Sequence, residues 1–276
     1  MRIGAALGFC IVLLTSPVAA QENARPRLPP ENLPSCAGEA RQDRLQGMTR
    51  EGDLVLGSEH LAKLSGLRLP DEPILRQQGL DWLKAWTGQP LLITIQGKRD
   101  RWNRLPIRAR LLKDSLTFDL SHGLVEAGLA IVDPGADLPF CQPELFALEE
   151  TARERNLGLW ADGRYNPIPV DQTDRLKERV GSFVIVEGRV RSVGERKQRI
   201  YLNFGGHWAD DFTIIIPKKT WMQMAERGLS TDSLKGHIIR TRGILQSWQG
   251  TALTIDSAEM IERLEGRRLQ DKRLAR

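Results

Sequence analysis

The run FVIVEGRVRSV at residues 183–193 is the clearest strand signal in the chain. It is rich in β-branched residues, which favour extended backbone, and it predicts one long strand from Val180 to Val193. Gly188 lies inside the run, and a glycine within a strand is typical of a bulge. The segment therefore predicts a sheet whose first strand is long and bent.

The residues after this strand predict four more strands and a helix. The strands are expected at Arg199–Phe204, Phe212–Ile216, Gly236–Leu245 and Thr251–Ile255, and the helix at Thr220–Arg227. Three strands, a helix and two strands in this order are typical of a small Greek-key OB barrel. We expect an OB-fold-like domain of five strands over residues 171–262.

The residues before this domain predict a mixture of strands and helices. The strands are expected at Asp53–Leu56, Leu61–Leu69, Leu91–Ile95 and Leu105–Leu112, and the helices at Ile74–Trp86, Leu120–Leu129 and Glu144–Asn156. A stretch with Gly163, Pro167 and Pro169 separates the two halves. The expected fold class is mainly β with helices (α+β), with a first domain over residues 36–165.

The N-terminus has the pattern of a secretory signal peptide. One positive charge precedes an apolar run, Ile3 to Leu14, and small residues lead up to Ala20. We expect cleavage after residues 1–20; the alternative is an uncleaved anchor. Four prolines predict an extended arm at residues 21–35, and residues 263–276 form a basic tail. The protein is expected to be exported, periplasmic or secreted, with no membrane span after cleavage.

Two cysteines, Cys36 and Cys141, follow the signal peptide. An even pair in an oxidising compartment predicts a disulfide between them. The alternative is two unrelated buried thiols.

The composition is that of a globular protein, since 41% of the 276 residues are hydrophobic and 27% are charged. Residues 171–276 hold 20 Lys and Arg against 14 Asp and Glu, whereas residues 21–170 hold 19 against 21. Basic groups beside exposed aromatic rings are typical of nucleic-acid binding. The nucleic-acid-binding residues predicted on this basis are Tyr201, Trp208 and Trp248 for stacking, and Arg199, Arg240 and Arg242 for phosphate.

Three segments of the first half occur in a characteristic order: DRWNR at residues 100–104, LVEAGLAIV at 124–132 and EETARERNLGLW at 149–160. Together they resemble the staphylococcal-nuclease-like (thermonuclease) family, with its aromatic turn, its Leu-Val-x-x-Gly-Leu-Ala-x-Val helix end and its terminal Gly-Leu-Trp motif. The resemblance covers residues 36–160. It implies an OB barrel with three helices, and therefore two such barrels in tandem.

The resemblance also implies a site, which in the family holds calcium on carboxylates, a glutamate base and two arginines. Carried over by position, Asp53 is the metal ligand, and Lys63 and Arg104 occupy the arginine positions. Asp71 or Glu72 lies near the base. Arg68 and Leu69 stand where the family has its second metal aspartate and a threonine. Because Arg68 reverses a charge where a dication would bind, the resemblance implies a degenerate active site.

Three functions remain open on the sequence. The first is an exported, thermonuclease-like protein with a degenerate site that binds nucleic acid or another polyanion and needs no cofactor. The second is an active calcium-dependent endonuclease that hydrolyses DNA or RNA phosphodiesters, with Asp71 or Glu72 supplying both a ligand and the base. The third is a cell-envelope adaptor that binds protein or glycan.

Overall fold

The computed structural model describes residues 36, 38–113, 116–135, 139–206 and 211–264. Over these residues the chain is a mixed α+β protein with several sheets, so the predicted α+β class is confirmed. The predicted signal peptide and extended arm lie outside the described residues, as do residues 265–276 of the predicted basic tail, whereas Arg263 belongs to a strand. Within the described ranges, no helix has both the length and the apolar character needed to cross a membrane.

The first half contains eight strands and three α-helices among the described residues. The strands are β1 (Ala40–Met48), β2 (Leu54–Leu56), β3 (Leu61–Leu64), β4 (Leu67–Arg68), β5 (Pro90–Ile95), β6 (Leu105–Lys113), β7 (Leu116–Asp119) and β8 (Ile131–Val132). The helices are α1 (Pro73–Lys84), α2 (Leu120–Glu126) and α3 (Leu145–Glu154), followed by a 3₁₀ turn at Gly158–Ala161. The predicted helices and hairpin are present, with ends that differ by a few residues.

Five of these strands pair in a cycle. The main sheet has the order β3-β2-β1-β5-β6-β7, and β3 also pairs in parallel with β6. The inward side chains of these strands form one apolar core, which includes the fully buried Leu45, Leu56, Ile93 and Ile107. Helix α2 contributes Leu120, Leu124 and Val125 to the same core.

The second half contains nine strands and three short helices among the described residues. The strands are β9 (Ile168–Pro169), β10 (Phe183–Arg189), β11 (Ser192–Glu195), β12 (Arg199–Asn203), β13 (Phe212–Pro217), β14 (Ile238–Ile244), β15 (Gln246–Ser247), β16 (Thr251–Thr254) and β17 (Ile261–Arg263). The helices are α4 (Thr173–Glu178), α5 (Lys218–Glu226) and α6 (Thr231–Leu234). Two sheets result, with the orders β17-β14-β10-β9 and β11-β12-β13-β16-β15.

The predicted strand Val180–Val193 is divided into β10 and β11. The prediction of a bulge at Gly188 was wrong. Gly188 pairs in unbroken register with Ile239. Its lack of a side chain has another reason, because a Cβ there would lie 2.4 Å from a methyl of Val170. The strand is interrupted two residues later, at Val190 and Arg191.

The predicted strand Leu61–Leu69 is likewise divided, into β3 and β4, by a turn at Ser65 and Gly66. Gly66 has a φ of 76°, a left-handed conformation that glycine adopts without strain. Phe140 packs directly against this turn, since a Cβ on Gly66 would lie 2.7 Å from its ring.

The predicted disulfide is confirmed. Cys36 and Cys141 are joined, with Cα atoms 5.5 Å apart and a sequence separation of 105. The bond ties the residue just before β1 to the segment that leads into α3. This segment also closes over the turn after β3, because Gln142 donates from its side-chain nitrogen to the Ser65 carbonyl.

Candidate functional site

The first cluster of candidate residues surrounds Arg104 at the end of the turn before β6. Its Nη1 donates to Asp53 Oδ1 at 2.8 Å, and its Nε donates to Asp100 Oδ2 at 2.8 Å. Lys63 Nζ lies 3.9 Å from the same Asp100 oxygen. The structure thus brings together three predicted site residues, Asp53, Lys63 and Arg104. We call them, with Asp100, the Arg104 cluster.

Asp100 shapes the turn that presents this cluster. Its Oδ1 accepts hydrogen bonds from the backbone amides of Trp102 and Arg104, both at 3.0 Å. Burial raises the pKa of Asp100, but the hydrogen bonds from Arg104 and Trp102 outweigh burial, so the pKa lies below its ordinary value of 3.8. The carboxylate is therefore held in its charged form as the fixed partner of Arg104.

Trp102 was not among the predicted site residues, although it is 56% exposed at the tip of this turn. The guanidinium carbons of Arg101 and Arg104 lie 3.9 and 4.7 Å from the centroid of its ring. The signal was present in the sequence as an aromatic residue flanked by arginines. An exposed indole between two cations offers a second surface for an anion or a base.

Arg68 contacts residues other than those of the Arg104 cluster. Its Nε donates to Asp133 Oδ2 at 2.9 Å, and its guanidinium carbon lies 4.5 Å from the ring centroid of Phe183 in β10. Arg68 therefore links the two halves of the chain.

The two candidate base residues, Asp71 and Glu72, lie at the start of α1, where the contacts of Glu72 hold the helix end. Glu72 caps α1 by accepting a hydrogen bond from the backbone amide of Leu75 at 2.8 Å, and its own amide donates to the hydroxyl of Tyr165 at 3.1 Å. Asp71 is exposed beside it. The contacts of these two residues do not join them to the Arg104 cluster in the described part of the chain.

The residues that the resemblance assigns to calcium do not fit the ion. A hard dication needs several oxygen ligands. Asp53, the predicted metal ligand, is bonded to Arg104, and Arg68, which the resemblance aligns with a second carboxylate, is a cation bonded to Asp133. Across the described ranges, no three His, Cys, Asp or Glu side chains group closely enough to hold a metal.

The second cluster of candidate residues lies on β12 and the turn between β15 and β16. Ile200 and Leu202 of β12 are fully buried, so the alternate residues Arg199, Tyr201 and Asn203 point outward. The guanidinium carbon of Arg199 lies 5.7 Å from the ring centroid of Trp248. Beside them lies a cavity of about 270 Å³ lined by Gly194, Arg196, Tyr201, Asn203, Trp248 and Gln249. We call this surface the Tyr201–Trp248 face.

The turn after β15 determines where Trp248 lies. Gln249 and Gly250 have φ values of 40° and 100°, and the Trp248 amide donates to the Gly250 carbonyl at 3.1 Å. Two left-handed residues in succession are typical of the tight turns that match the twist of a hairpin. The turn leaves Trp248 43% exposed beside β12.

The Tyr201–Trp248 face is positively charged at one end. Arg196, Lys197 and Arg199 are all exposed at the β11–β12 turn. The one carboxylate in this turn, Glu195, is paired with Lys218. Arg196, Asn203 and Gly194 were missed by the sequence reasoning, although the alternation of Asn203 with Tyr201 along β12 was available as a signal.

Arg240 and Arg242 need a correction, because they do not lie on this surface. They are 5% and 0% exposed. Arg240 donates to Glu187 and to Glu150, and Arg242 Nη1 donates to Glu149 at 2.7 Å. Buried guanidinium groups with carboxylate partners are not available to phosphate, so both residues belong to the internal structure. The predicted stacking residue Trp208 lies outside the described residues.

Carboxylates compensate the burial of these two arginines. Burial lowers the pKa of Arg242, but the charges of Glu149 and Glu262 outweigh this and raise it above its ordinary value. The balance is the same for Arg240, whose pKa is raised by Glu187, Glu262 and Glu150. Both groups therefore stay charged inside the protein.

Comparison of the chain with models of protein families and with curated proteins finds no match.

Proposed function

We propose that this is an exported, thermonuclease-like protein with a degenerate nuclease site, which binds single-stranded nucleic acid or another polyanion at the Tyr201–Trp248 face. The observation that carries the proposal is one open cavity lined by Tyr201, Trp248 and Arg196, with Arg199 beside the Trp248 ring. Proteins that bind single strands combine a basic groove with aromatic rings on which bases stack.

The pairing pattern supports a barrel in the first half. When each strand is followed to the strand it pairs with, the order β1-β2-β3-β6-β5-β1 returns to the first strand. One of these pairs, β3 and β6, is parallel. A closed sheet of five strands with a helix before the last two strands is the arrangement that the family resemblance implies.

The second half supports the same architecture. Strand β12 pairs with β11 and β13, β13 pairs in parallel with β16, and β16 pairs with β15. Strands β10 and β14 pair with each other, and they run into β11 and β15 respectively. Taken as two bent strands, these four pieces complete a five-stranded cycle. In such barrels, oligonucleotides bind across the second and third strands and the adjoining loops.

Charge favours the second half as the binding region. Residues 171–276 carry a formal charge of +6, from 20 Lys and Arg and 14 Asp and Glu. Arginine suits this role because its planar fork donates two hydrogen bonds to one phosphate. The disulfide between Cys36 and Cys141 is consistent with export, since such bonds persist in oxidising compartments.

A second candidate function is phosphodiester hydrolysis at the Arg104 cluster. The observation in its favour is that Asp53, Lys63 and Arg104 meet there. Against it stand Arg68 in a ligand position and an Asp53 carboxylate bonded to Arg104.

The test is binding of a labelled single-stranded oligonucleotide by the disulfide-bonded protein, measured by fluorescence anisotropy. Trp248→Ala should weaken binding about tenfold, which is within the range reported for loss of one stacked base. Trp102→Ala is the matched control, because it removes an indole of similar exposure from the first half. Loss of binding in Trp102→Ala alone would move the site to the Arg104 cluster. Absence of binding by the unmodified protein would overturn the proposal.

A further inference from the structure

Gly194 is a strand glycine that neither a close contact within the protein nor its backbone conformation requires. It lies within β11, directly opposite Tyr201 in the pairing of β11 with β12. A Cβ built on Gly194 would lie 3.9 Å from Tyr201 Cβ and 4.0 Å from Asn203 Nδ2, which are ordinary contact distances. Its φ is outside the left-handed region. Neither crowding nor backbone conformation therefore requires glycine here.

The two other strand glycines that the structure describes in the second half differ from Gly194. A Cβ on Gly188 would lie 2.4 Å from Val170, and Gly243 has a φ of 156°. Glycine inside a strand weakens it, since there is no side chain to pack. Gly194 pairs in unbroken register, so no bulge explains it, and another common reason for a strand glycine is the close approach of a ligand.

The space above Gly194 belongs to the cavity of the Tyr201–Trp248 face. Gly194 lines this cavity together with Tyr201, Asn203 and Trp248. Its volume of about 270 Å³ lies below the range of about 300 to 1,000 Å³ that is usual for drug-sized ligands. The cavity therefore suits one small flat ring, and a side chain at position 194 would fill part of that space.

The lining has the chemistry that recognises a nucleobase. Tyr201 and Trp248 offer aromatic surfaces for stacking, and Asn203 and Gln249 carry amide groups that pair with the donor and acceptor edges of bases. Arg196 lines the same cavity, and Arg199 lies beside Trp248. We infer that the cavity above Gly194 takes one unpaired nucleobase of a single strand while these arginines hold the adjacent phosphates. This inference rests on the proposed function and narrows its ligand from polyanions in general to polymers that carry bases.

The experiment compares two labelled DNA single strands of about 12 nucleotides, a length within the range that one such domain covers. One carries its bases and the other has abasic sites throughout, so that both present the same phosphates. The unmodified protein should bind the base-carrying strand about tenfold more tightly, as expected for at least one stacked base. Gly194→Leu should reduce its affinity to that of the abasic strand, while binding of the abasic strand stays unchanged.

Gly47→Leu is the matched control. Gly47 of β1 differs from Gly194 because it lies at a register shift in the pairing of β1 with β2, which accounts for a glycine there. No atom lies within 4 Å of a Cβ added to it, so a larger side chain fits. It should leave both affinities unchanged, and circular dichroism should show that both variants are folded.

The outcomes separate the inference from the proposed function. If the unmodified protein binds both strands equally and Arg199→Ala loses this binding, the nucleobase pocket is contradicted. The face would then bind polyanions through their phosphates alone. Unchanged binding by Gly194→Leu, with the abasic strand still weaker, would show that bases are recognised elsewhere and would also overturn the pocket. Failure of the unmodified protein to bind either strand would overturn the proposed function and the pocket together.

Discussion

Arg242 and Glu149 form an ion pair of 2.7 Å in which both side chains are 1% exposed, and each comes from a different half of the chain. Arg242 lies on β14, and Glu149 lies on α3. The same glutamate accepts a hydrogen bond from the backbone amide of Val132, and the same arginine donates to the Val132 carbonyl. The pair therefore fixes the register of the two halves against each other at a point that water does not reach.

This relationship predicts that Arg242→Met strongly destabilises the protein. Without the guanidinium, Glu149 remains as a buried carboxylate with one partner fewer, and removal of one member of such a pair costs about 3–5 kcal/mol. The free energy of unfolding, measured by urea denaturation, should fall by that amount. The exposed pair Lys84 and Asp81 provides the control, because Lys84→Ala should change the free energy of unfolding by less than about 1 kcal/mol. Similar small effects for both variants would contradict the structural role given to Arg242.

The disulfide gives a second prediction. A cross-link between residues 105 apart restricts the unfolded chain, and the expected stabilisation is about 2–5 kcal/mol. The double substitution Cys36→Ser and Cys141→Ser should lower the free energy of unfolding by this amount, and reductant should have no further effect on the variant. Peptide mapping without reductant should find the two cysteines in one linked fragment. Two free thiols in protein purified without reductant would contradict the bond.

A third prediction concerns how the stability of the protein changes at acidic pH. The pKa of Asp100 is lower in the folded state than its ordinary value of 3.8, so its carboxylate stabilises the fold above that pH. This contribution is lost as the pH falls through the lower, folded-state pKa. Asp100→Asn should therefore be less stable than the unmodified protein at pH 6, and the difference should shrink as the pH falls below 3.8. Thermal unfolding of both proteins between pH 2 and 7 measures this difference in stability. A difference that grows as the pH falls would contradict the lowered pKa of Asp100.

Calcium binding gives a fourth prediction. The unmodified protein should give no heat of calcium binding in titration calorimetry, because the predicted ligand Asp53 is bonded to Arg104 and Arg68 is a cation bonded to Asp133. Arg68→Asp alone should not restore binding, since it leaves Asp53 bonded to Arg104, and it should also lower stability through loss of the Asp133 partner. Tight calcium binding by the unmodified protein would overturn the assignment of Arg68 to a metal position and revive the endonuclease alternative.

The sequence predicts the elements whose apolar pattern is regular, such as β5, β12 and β16, because burial of alternate side chains imposes that pattern. Strand β1 was missed, since ARQDRLQGM has little apolar alternation and is held by its pairing with β2 and β5. Of the predicted phosphate contacts, Arg199 is exposed, whereas Arg240 and Arg242 are buried. Their carboxylate partners on α3 are about 90 residues away in sequence, and no local pattern indicates such partners.

The last prediction separates the two basic surfaces by the salt dependence of binding. Each phosphate contact on a single strand contributes about −0.7 to the slope of log K against log salt concentration, because binding releases counterions. If Arg196 and Arg199 each neutralise one phosphate, the double substitution to alanine should make the slope about 1.4 less steep. The matched variant replaces Arg99 and Arg101, which are exposed in the turn of the Arg104 cluster, and it should leave the slope unchanged. A slope that changes only in the Arg99 and Arg101 variant would place the polyanion on the first half, beside Trp102. The full chain is the proper material for this measurement, because a fragment that begins at residue 171 would expose Arg240 and Arg242 and create phosphate contacts that the intact protein does not have.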